Sequence, residues 1–399
     1  MSRSRVIASN WGGATIEGSV VPGFEPVIDA FQRNFALGRE LGAAFSAYAD
    51  GELAVDLWAG LADSRRHSPW AADTLVGILS GSKGLVAACL ARLIEHGELD
   101  LDASVCHYWP EFATNGKSGI LVRHVVSHQA GLPGLTTPVT VEEATDSVRM
   151  AQLLASQRPV YAPGREVQYH ALTFGWLSGE LIRRIDGRPI GVFLQDEIAR
   201  PLNLEVWIGL PPSQEHRVAR VEHTRDFSSE HEELIKICEE DKYAWSVWAN
   251  PPRFKDGDLA SNLPLWHSAE VPGTSAIVSA RSLARLYACL ARGGQDGNGY
   301  ELLSRATVDL VRRCAAIGPV PVIGAQIAFG VGFGVQTKDM QYGPPSDAFG
   351  HTGAGGSVHG AWPSLKAGFS YAPNLLDSFA TVDSRAKALL DALYGALTA

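Results

Sequence analysis

Ser80 and Lys83 stand three residues apart in Ser80-Gly81-Ser82-Lys83, at the head of the apolar run Leu75–Leu90. Residues at that spacing share one face of a helix, with about 5–6 Å between Cβ atoms, so an amine can reach a hydroxyl without any long-range coincidence of folding. The chemistry open to such a pair is nucleophilic catalysis with a built-in base: lysine takes the serine proton and the alkoxide attacks an acyl carbon. Near a helix N-terminus the macrodipole disfavours an ammonium and favours an anion, which pushes both groups toward attack. The same spacing also arises by chance with a merely solvated lysine, so other residues must carry the reading.

Two further segments do so. Val167-Gln168-Tyr169-His170-Ala171 leads into Phe174-Gly175-Trp176-Leu177-Ser178-Gly179-Glu180-Leu181, whose apolar and small residues read as a tightly packed helix with Tyr169 at its entrance. Phe349-Gly350-His351-Thr352-Gly353-Ala354-Gly355-Gly356-Ser357 is glycine-rich and flanked by strand-like runs, a composition used where a substrate approaches backbone closely. In this order the three segments resemble the serine β-lactamase and penicillin-binding protein superfamily, whose motifs are S-x-x-K, S-x-N or Y-x-N, and K-T-G. The nearest branch looks like the class C β-lactamases and, better, the family VIII carboxylesterases, which keep the serine, lysine and tyrosine. The resemblance covers most of the chain. Leu121-Val122-Arg123-His124-Val125-Val126-Ser127-His128-Gln129-Ala130-Gly131-Leu132-Pro133 is similar to the family's L-L-x-H-T-S-G-L-P segment, and Gly368-Phe369-Ser370-Tyr371-Ala372-Pro373-Asn374 to its last strand.

The resemblance implies a serine hydrolase with catalytic Ser80, Lys83 and Tyr169. It also implies an oxyanion hole made by the backbone N–H groups of Ser80 and Ala354, and substrate contacts from His351, Thr352 and Gly353. Whether Lys83 or Tyr169 is the formal base stays open. The chain departs from the β-lactamase pattern where Ala171 replaces the motif asparagine and His351 replaces the motif lysine. Alanine cannot hydrogen-bond a substrate amide, and a histidine with an ordinary pKa near about 6.5 carries little charge at neutral pH. The nucleophilic machinery is kept while the antibiotic contacts are lost. The expected activity is therefore that of a serine carboxylesterase on small esters. A β-lactamase or D,D-peptidase, an acyltransferase of the same fold and a non-catalytic binding protein are the alternatives.

Competing motifs are weaker. His124 and His128 stand four apart on an expected helix, but no glutamate follows His124 as a zinc-protease motif requires. His359 stands where a G-x-S-x-G elbow around Ser357 would need glycine, which argues against an α/β-hydrolase.

The 399 residues are 46% apolar and 19% charged, enough to build a large core or two regions sharing an interface. A net charge of −9 without a basic stripe argues against nucleic acid as a partner. No apolar run of about 18 residues could span a bilayer, and Met1–Trp11 lacks the apolar core of a secretory leader, so a cytoplasmic protein is expected. Cys89, Cys106, Cys238, Cys289 and Cys314 are odd in number, lack C-x-x-C spacing and read as reduced core residues. A small-molecule ester is the expected partner, with no metal or organic cofactor; oligomeric state is not legible.

The elements that must position these residues follow from patterning. Phe24–Leu41 has helical spacing and a stop at Gly42; Ala44–Tyr48 and Leu53–Trp58 flank the hairpin signal Asp50-Gly51. A helix is expected over Ser80–His96, another from an N-cap at Ser279 through Leu290, a third over Arg305–Cys314 and a last over Ser384–Leu397. Phe329–Thr337, Gly356–Ala361 and Leu365–Tyr371 alternate like strands. Arg217–Trp266 reads as a long connection whose tryptophans are candidates for walling an acyl pocket. The expected fold class is α/β (α+β), and the resemblance makes it β-lactamase/transpeptidase-like. An antiparallel sheet would come from both chain ends (residues 1–98 and 271–399), flanked by helices, with a mostly helical region (99–270) inserted and the active site between them.

Overall fold

Asp50 and Gly51 both take positive φ (47° and 87°), the backbone a two-residue hairpin needs, and they join the antiparallel strands Gly42–Ala49 and Glu52–Asp63. This hairpin is the N-terminal share of a large sheet in the computed structural model, which describes residues 4–6, 10–11, 14–319, 326–379 and 382–399. Most of Met1–Trp11 therefore lies outside the described residues. The C-terminal strand Ala367–Pro373 pairs antiparallel with Gly42–Ala49, from Ala367 opposite Ala49 to Pro373 opposite Ala43. The two ends of the chain thus meet in the middle of one sheet. Beyond Ala367–Pro373 the order runs through Val358–Trp362, Phe349–Thr352, Gly334–Val335, Gln326–Phe329 and Ala316–Pro319, each antiparallel to its neighbour.

Helices cover both faces. Glu25–Ala36 and Ser384–Thr398 pack on each other and, with Phe45, Leu57, Trp362 and Phe369, form one apolar cluster. Ala280–Ala291 crosses the strands Ala367–Pro373 and Gly42–Ala49, so close that a Cβ on Gly368 would lie 2.0 Å from the Ala288 nitrogen. Because both faces are covered, every residue of Ala367–Pro373 is buried, and the inside-outside alternation expected of a half-exposed strand is absent.

The helix Ser82–Glu95 runs through the largest core cluster, against Thr173–Asp186, Ile190–Leu194 and Arg305–Val311. Leu85, Val86, Leu90 and Leu93 are fully buried on it. Each such side chain stabilises the fold by about 1.5–3 kcal/mol, which offsets the cost of carrying the Lys83 amine inside with them.

Several expected boundaries move. The first helix ends at Ala36, with the chain turning at Gly38 (φ 67°), and Gly42 begins a strand instead of stopping a helix. Arg305–Cys314 is helical only to Val311, and Phe329–Thr337 is two strands separated by a turn at Gly330–Phe333. The largest correction concerns Arg217–Trp266, which is not a structureless connection. Thr224 caps a helix over Arg225–Glu240 by accepting the Phe227 N–H, and Asp241 ends it and caps a second over Lys242–Trp248. Phe227, Leu234 and Cys238 form its buried stripe, a helical spacing hidden by the surrounding charge. Among the described residues no helix is long and apolar enough to cross a membrane.

Candidate active site

Ser80 lies on a single 3₁₀ turn, Leu79–Gly81, and the α-helix begins only at Ser82, so the expected start of that helix at Ser80 is two residues early. Leu79 is the reason: its φ of 48° is left-handed, a conformation costing a non-glycine residue about 1–3 kcal/mol unless its surroundings impose it. The surroundings do. The Leu79 side chain packs with Val221, Phe227, Leu259 and Leu376, and the Ser82 hydroxyl donates to the Leu79 carbonyl at 2.5 Å. Ser82 Oγ also accepts the Ala276 N–H at 2.9 Å, so this fully buried serine clamps the turn and is not itself presented to the cleft.

Lys83 Nζ sits 3.0 Å from Ser80 Oγ and donates to the Gly273 carbonyl at 2.8 Å. Gly273 comes this near because Gly175 faces it; a Cβ on Gly175 would lie 2.0 Å from the Gly273 nitrogen. Lys83 is completely buried, with no carboxylate paired to it among the described residues, and desolvation holds its pKa well below the ordinary lysine value. A neutral amine that donates to Gly273 keeps a lone pair for the serine proton.

Tyr169, on the loop before the helix Thr173–Asp186, brings its hydroxyl to Ser80. Its ring lies between Phe329 (centroids 6.1 Å apart, 10° between planes) and Trp248 (6.2 Å, 28°), and Lys83 Nζ is 5.0 Å from its centroid. Burial raises the Tyr169 pKa while the Ser80 hydroxyl pulls it down; the sum is a rise, which keeps the phenol protonated. Behind Tyr169 lies His128, 5.1 Å from it between centroids and stacked on Phe174. His128 Nδ1 accepts the His170 N–H at 3.0 Å.

His351 is 4% exposed on the strand Phe349–Thr352, and its Nδ1–H donates to the Thr352 carbonyl at 2.8 Å. That bond sets the tautomer and leaves Nε2, which has no partner among the described residues, as an acceptor at the cleft. Burial first, and the Lys83 charge second, push its pKa down to about 3. The residue in the motif lysine's place is thus a neutral acceptor, less charged than its type alone suggests.

Thr352, Gly353 and Ala354 border the same cleft as Ser80, Tyr169 and His351. A Cβ on Gly353 would lie 2.3 Å from the Ile78 carbonyl, which shows how closely this loop approaches the nucleophile turn. The N–H of Ala354 has no backbone hydrogen-bond partner among the described residues. The loop is held from behind by Arg385, which donates to the carbonyls of Gly355 (2.7 Å) and Leu375 (3.0 Å) and is buried against Asp383 and Glu40. The sequence reading missed this support, together with Gly273, Ser82 and His128. Its one visible signal was an acidic N-cap, Asp383, two residues before a basic residue.

The cleft holds about 240 Å³ and its walls are mostly apolar, with Trp248, Trp266, Pro251, Ile327 and Phe329 among them. Trp245 takes no part in them. Ala171 does line the cleft, offering a methyl group where the motif asparagine would offer an amide. His124 and His128 do not share a helix face: the helix is Val122–Val126, and His128 lies past it at φ 61°. Among the described residues no group of three or more His, Cys, Asp or Glu is placed to hold a metal ion.

The family model described as Beta-lactamase matches residues 28–394. The chain is 33% identical over 378 residues to Esterase/beta-lactamase LipL of Mycobacterium tuberculosis, covering 92% of this chain and 85% of that protein. Among solved structures, a family VIII carboxylesterase superposes with TM-score 0.87 at 35% identity, covering 96% of this chain and 99% of that one. A novel penicillin-binding protein homologue from Caulobacter crescentus superposes with TM-score 0.87 at 33% identity over the same shares.

Proposed function

This chain belongs to the Beta-lactamase family and is a serine hydrolase with the β-lactamase/transpeptidase-like fold; from that premise we propose that it is a carboxylesterase acting on small esters through an acyl-enzyme on Ser80. The observation that carries the reading is the Lys83 amine, buried with no counter-ion among the described residues and 3.0 Å from the Ser80 hydroxyl. Lys83 accepts the Ser80 proton as Oγ attacks the ester carbonyl. It suits the role of base better than Tyr169, because burial favours a neutral amine and disfavours a phenolate. The tetrahedral oxyanion is held by the N–H groups of Ser80 and Ala354, donors aimed where charge develops. Collapse expels the alcohol, which takes its proton from Lys83 through the Tyr169 hydroxyl. Water then attacks the acyl-enzyme, giving a proton back along the same route, and Ser80 is released with the free acid.

His351, Thr352 and Gly353 line the acyl carbonyl side, where His351 offers an acceptor and no positive charge. The regions 1–98 with 271–399, and 99–270, form the two walls in this proposal. A cytoplasmic location belongs to the same reading and is supported by five unpaired cysteines. A β-lactamase is less favoured because Ala171 and neutral His351 supply neither amide anchor nor cation.

The test combines a fluorophosphonate label, mapped by mass spectrometry, with hydrolysis of p-nitrophenyl butyrate. Ser80 should carry the label, and Ser80→Ala should abolish both labelling and turnover. Labelling at Ser82 or Ser357, or turnover surviving in Ser80→Ala, would overturn the proposal.

A further inference from the structure

Arg253 lines the same cleft as Ser80. Its guanidinium lies over two aromatic faces, 5.0 Å from the Phe379 centroid and 5.6 Å from that of Phe227. Those two rings share an apolar cluster with Leu79, the residue that precedes the nucleophile. The cation is therefore held at the wall of the nucleophile's cleft by stacking, a contact that fixes its position while leaving its N–H edge unused.

Among the described residues no hydrogen bond or ion pair of that guanidinium is found, in contrast to three other arginines. Arg220 grips Asp258, Arg217 grips Glu205 and Arg385 grips Asp383. Two carboxylates near the cleft are already engaged. Asp383 accepts from Arg385 and from the Ala386 N–H, and Glu230 accepts the Phe379 N–H at 2.6 Å. Desolvation with no acid to oppose it lowers the Arg253 pKa to about 10, which still leaves a full positive charge at neutral pH. A half-buried cation at the cleft wall, unpaired among the described residues of a chain with a net charge of −9, is a position awaiting an anion.

We propose that Arg253 is the anion subsite of the cleft, and that the physiological ester carries a carboxylate at the end remote from the scissile bond. The proposal deepens the esterase reading, on which it rests, by naming a substrate class: half-esters of dicarboxylic acids, or acyl esters of hydroxy acids. The planar fork of Arg253 binds the carboxylate side-on, the apolar walls take the intervening methylenes, and Ser80 meets the ester carbonyl.

Two matched pairs test it by kcat/KM: monomethyl adipate against methyl hexanoate, and 6-acetoxyhexanoate against hexyl acetate. The native enzyme should favour the charged member of at least one pair, and Arg253→Gln should lower that preference by roughly 10- to 100-fold, the usual effect of losing a hydrogen bond to a charged group. Arg253→Lys, which keeps the charge, should retain part of the preference. Calorimetric titration with 4-phenylbutyrate and its neutral isostere 4-phenylbutyramide reads the subsite without turnover, and the same preference for the carboxylate should vanish in Arg253→Gln. No preference in either assay, a preference that survives Arg253→Gln, or Arg253→Lys falling as far as Arg253→Gln overturns the subsite. Carboxylate binding that depends on Arg253 in a protein hydrolysing none of the four esters upholds the subsite and sinks the esterase reading instead.

Discussion

Acidification from pH 7 to pH 5 should cost this protein a large part of its stability. The cause is a set of buried histidines beside the catalytic groups. His351 and His359 face each other across adjacent strands with pKa values pushed down to about 3 by burial, and His170 is pushed down to about 4. Unfolded histidine titrates near pH 6.5, so between that value and the folded values the unfolded chain binds protons that the folded chain refuses. Stability contributed by these groups is present above pH 6.5 and is lost as pH falls, at about 1.4 kcal/mol per pH unit for each. By pH 5 each has lost about 2 kcal/mol, and the three together about 6. Glu40 works against them: burial raises its carboxyl to about 7, so the folded chain takes up that proton first and gains about 2 kcal/mol over the same range. His128, held well below its ordinary value, and Glu270, raised by burial, add effects of opposite sign. Half-buried His124 and His231 add smaller losses. The net loss is about 4 kcal/mol before Lys83, whose neutral buried amine adds a loss of the same sign, and it is a sizeable share of the roughly 5–15 kcal/mol that holds a typical fold. Urea unfolding followed by tryptophan fluorescence at pH 7 and pH 5 measures it directly. His359→Gln can keep the bond to Ser370 without a titrating group, and it should shrink the difference by about 2 kcal/mol. Equal stability at the two pH values, or a difference untouched by His359→Gln, would refute the reasoning.

Activity makes further claims measurable. Lys83→Met and Tyr169→Phe should each remove most turnover, with the double variant little worse than either, because residues acting in one step are non-additive; multiplicative losses in kcat would separate them. The acid limb of kcat/KM should rise with pH as Lys83 loses its proton, at an apparent pKa well below 10.5, and a limb at the ordinary lysine value would contradict a neutral base. Ala354→Pro deletes one N–H donor and should lower kcat by about 10²–10³ with an unchanged circular dichroism spectrum; an unimpaired kcat removes Ala354 from the oxyanion hole. The specificity constant for p-nitrophenyl butyrate should exceed that for nitrocefin by at least roughly tenfold per missing anchor at Ala171 and His351, and a preference for nitrocefin would reverse the esterase reading.

The sequence by itself determined what is local. Ser80 and Lys83 meet through three residues of helical spacing, Asp50-Gly51 turns a hairpin through its own backbone preferences, and the strand-forming runs near both chain ends announced a sheet built from the two termini. Residue type was an incomplete guide at His351, where it suggests a partial charge and burial leaves none. What only the tertiary structure decided depends on groups far apart in the chain. The withdrawal of Lys83 from water needs the core packed around its helix, and its second partner is a carbonyl 190 residues away. Leu79 holds a left-handed conformation because Val221, Phe227, Leu259 and Leu376 close over it. The helices within 225–248 stayed hidden because their apolar stripe is narrow and is stabilised by packing that periodicity does not register. Arg253 reads in the sequence as one more basic residue; two phenylalanine rings, 26 positions before it and 126 after it, hold it at the cleft, unpaired among the described residues. Spacing fixes which side chains can touch along one element, whereas burial, and with it the protonation state of every group in this cleft, is set by all the elements that fold over it.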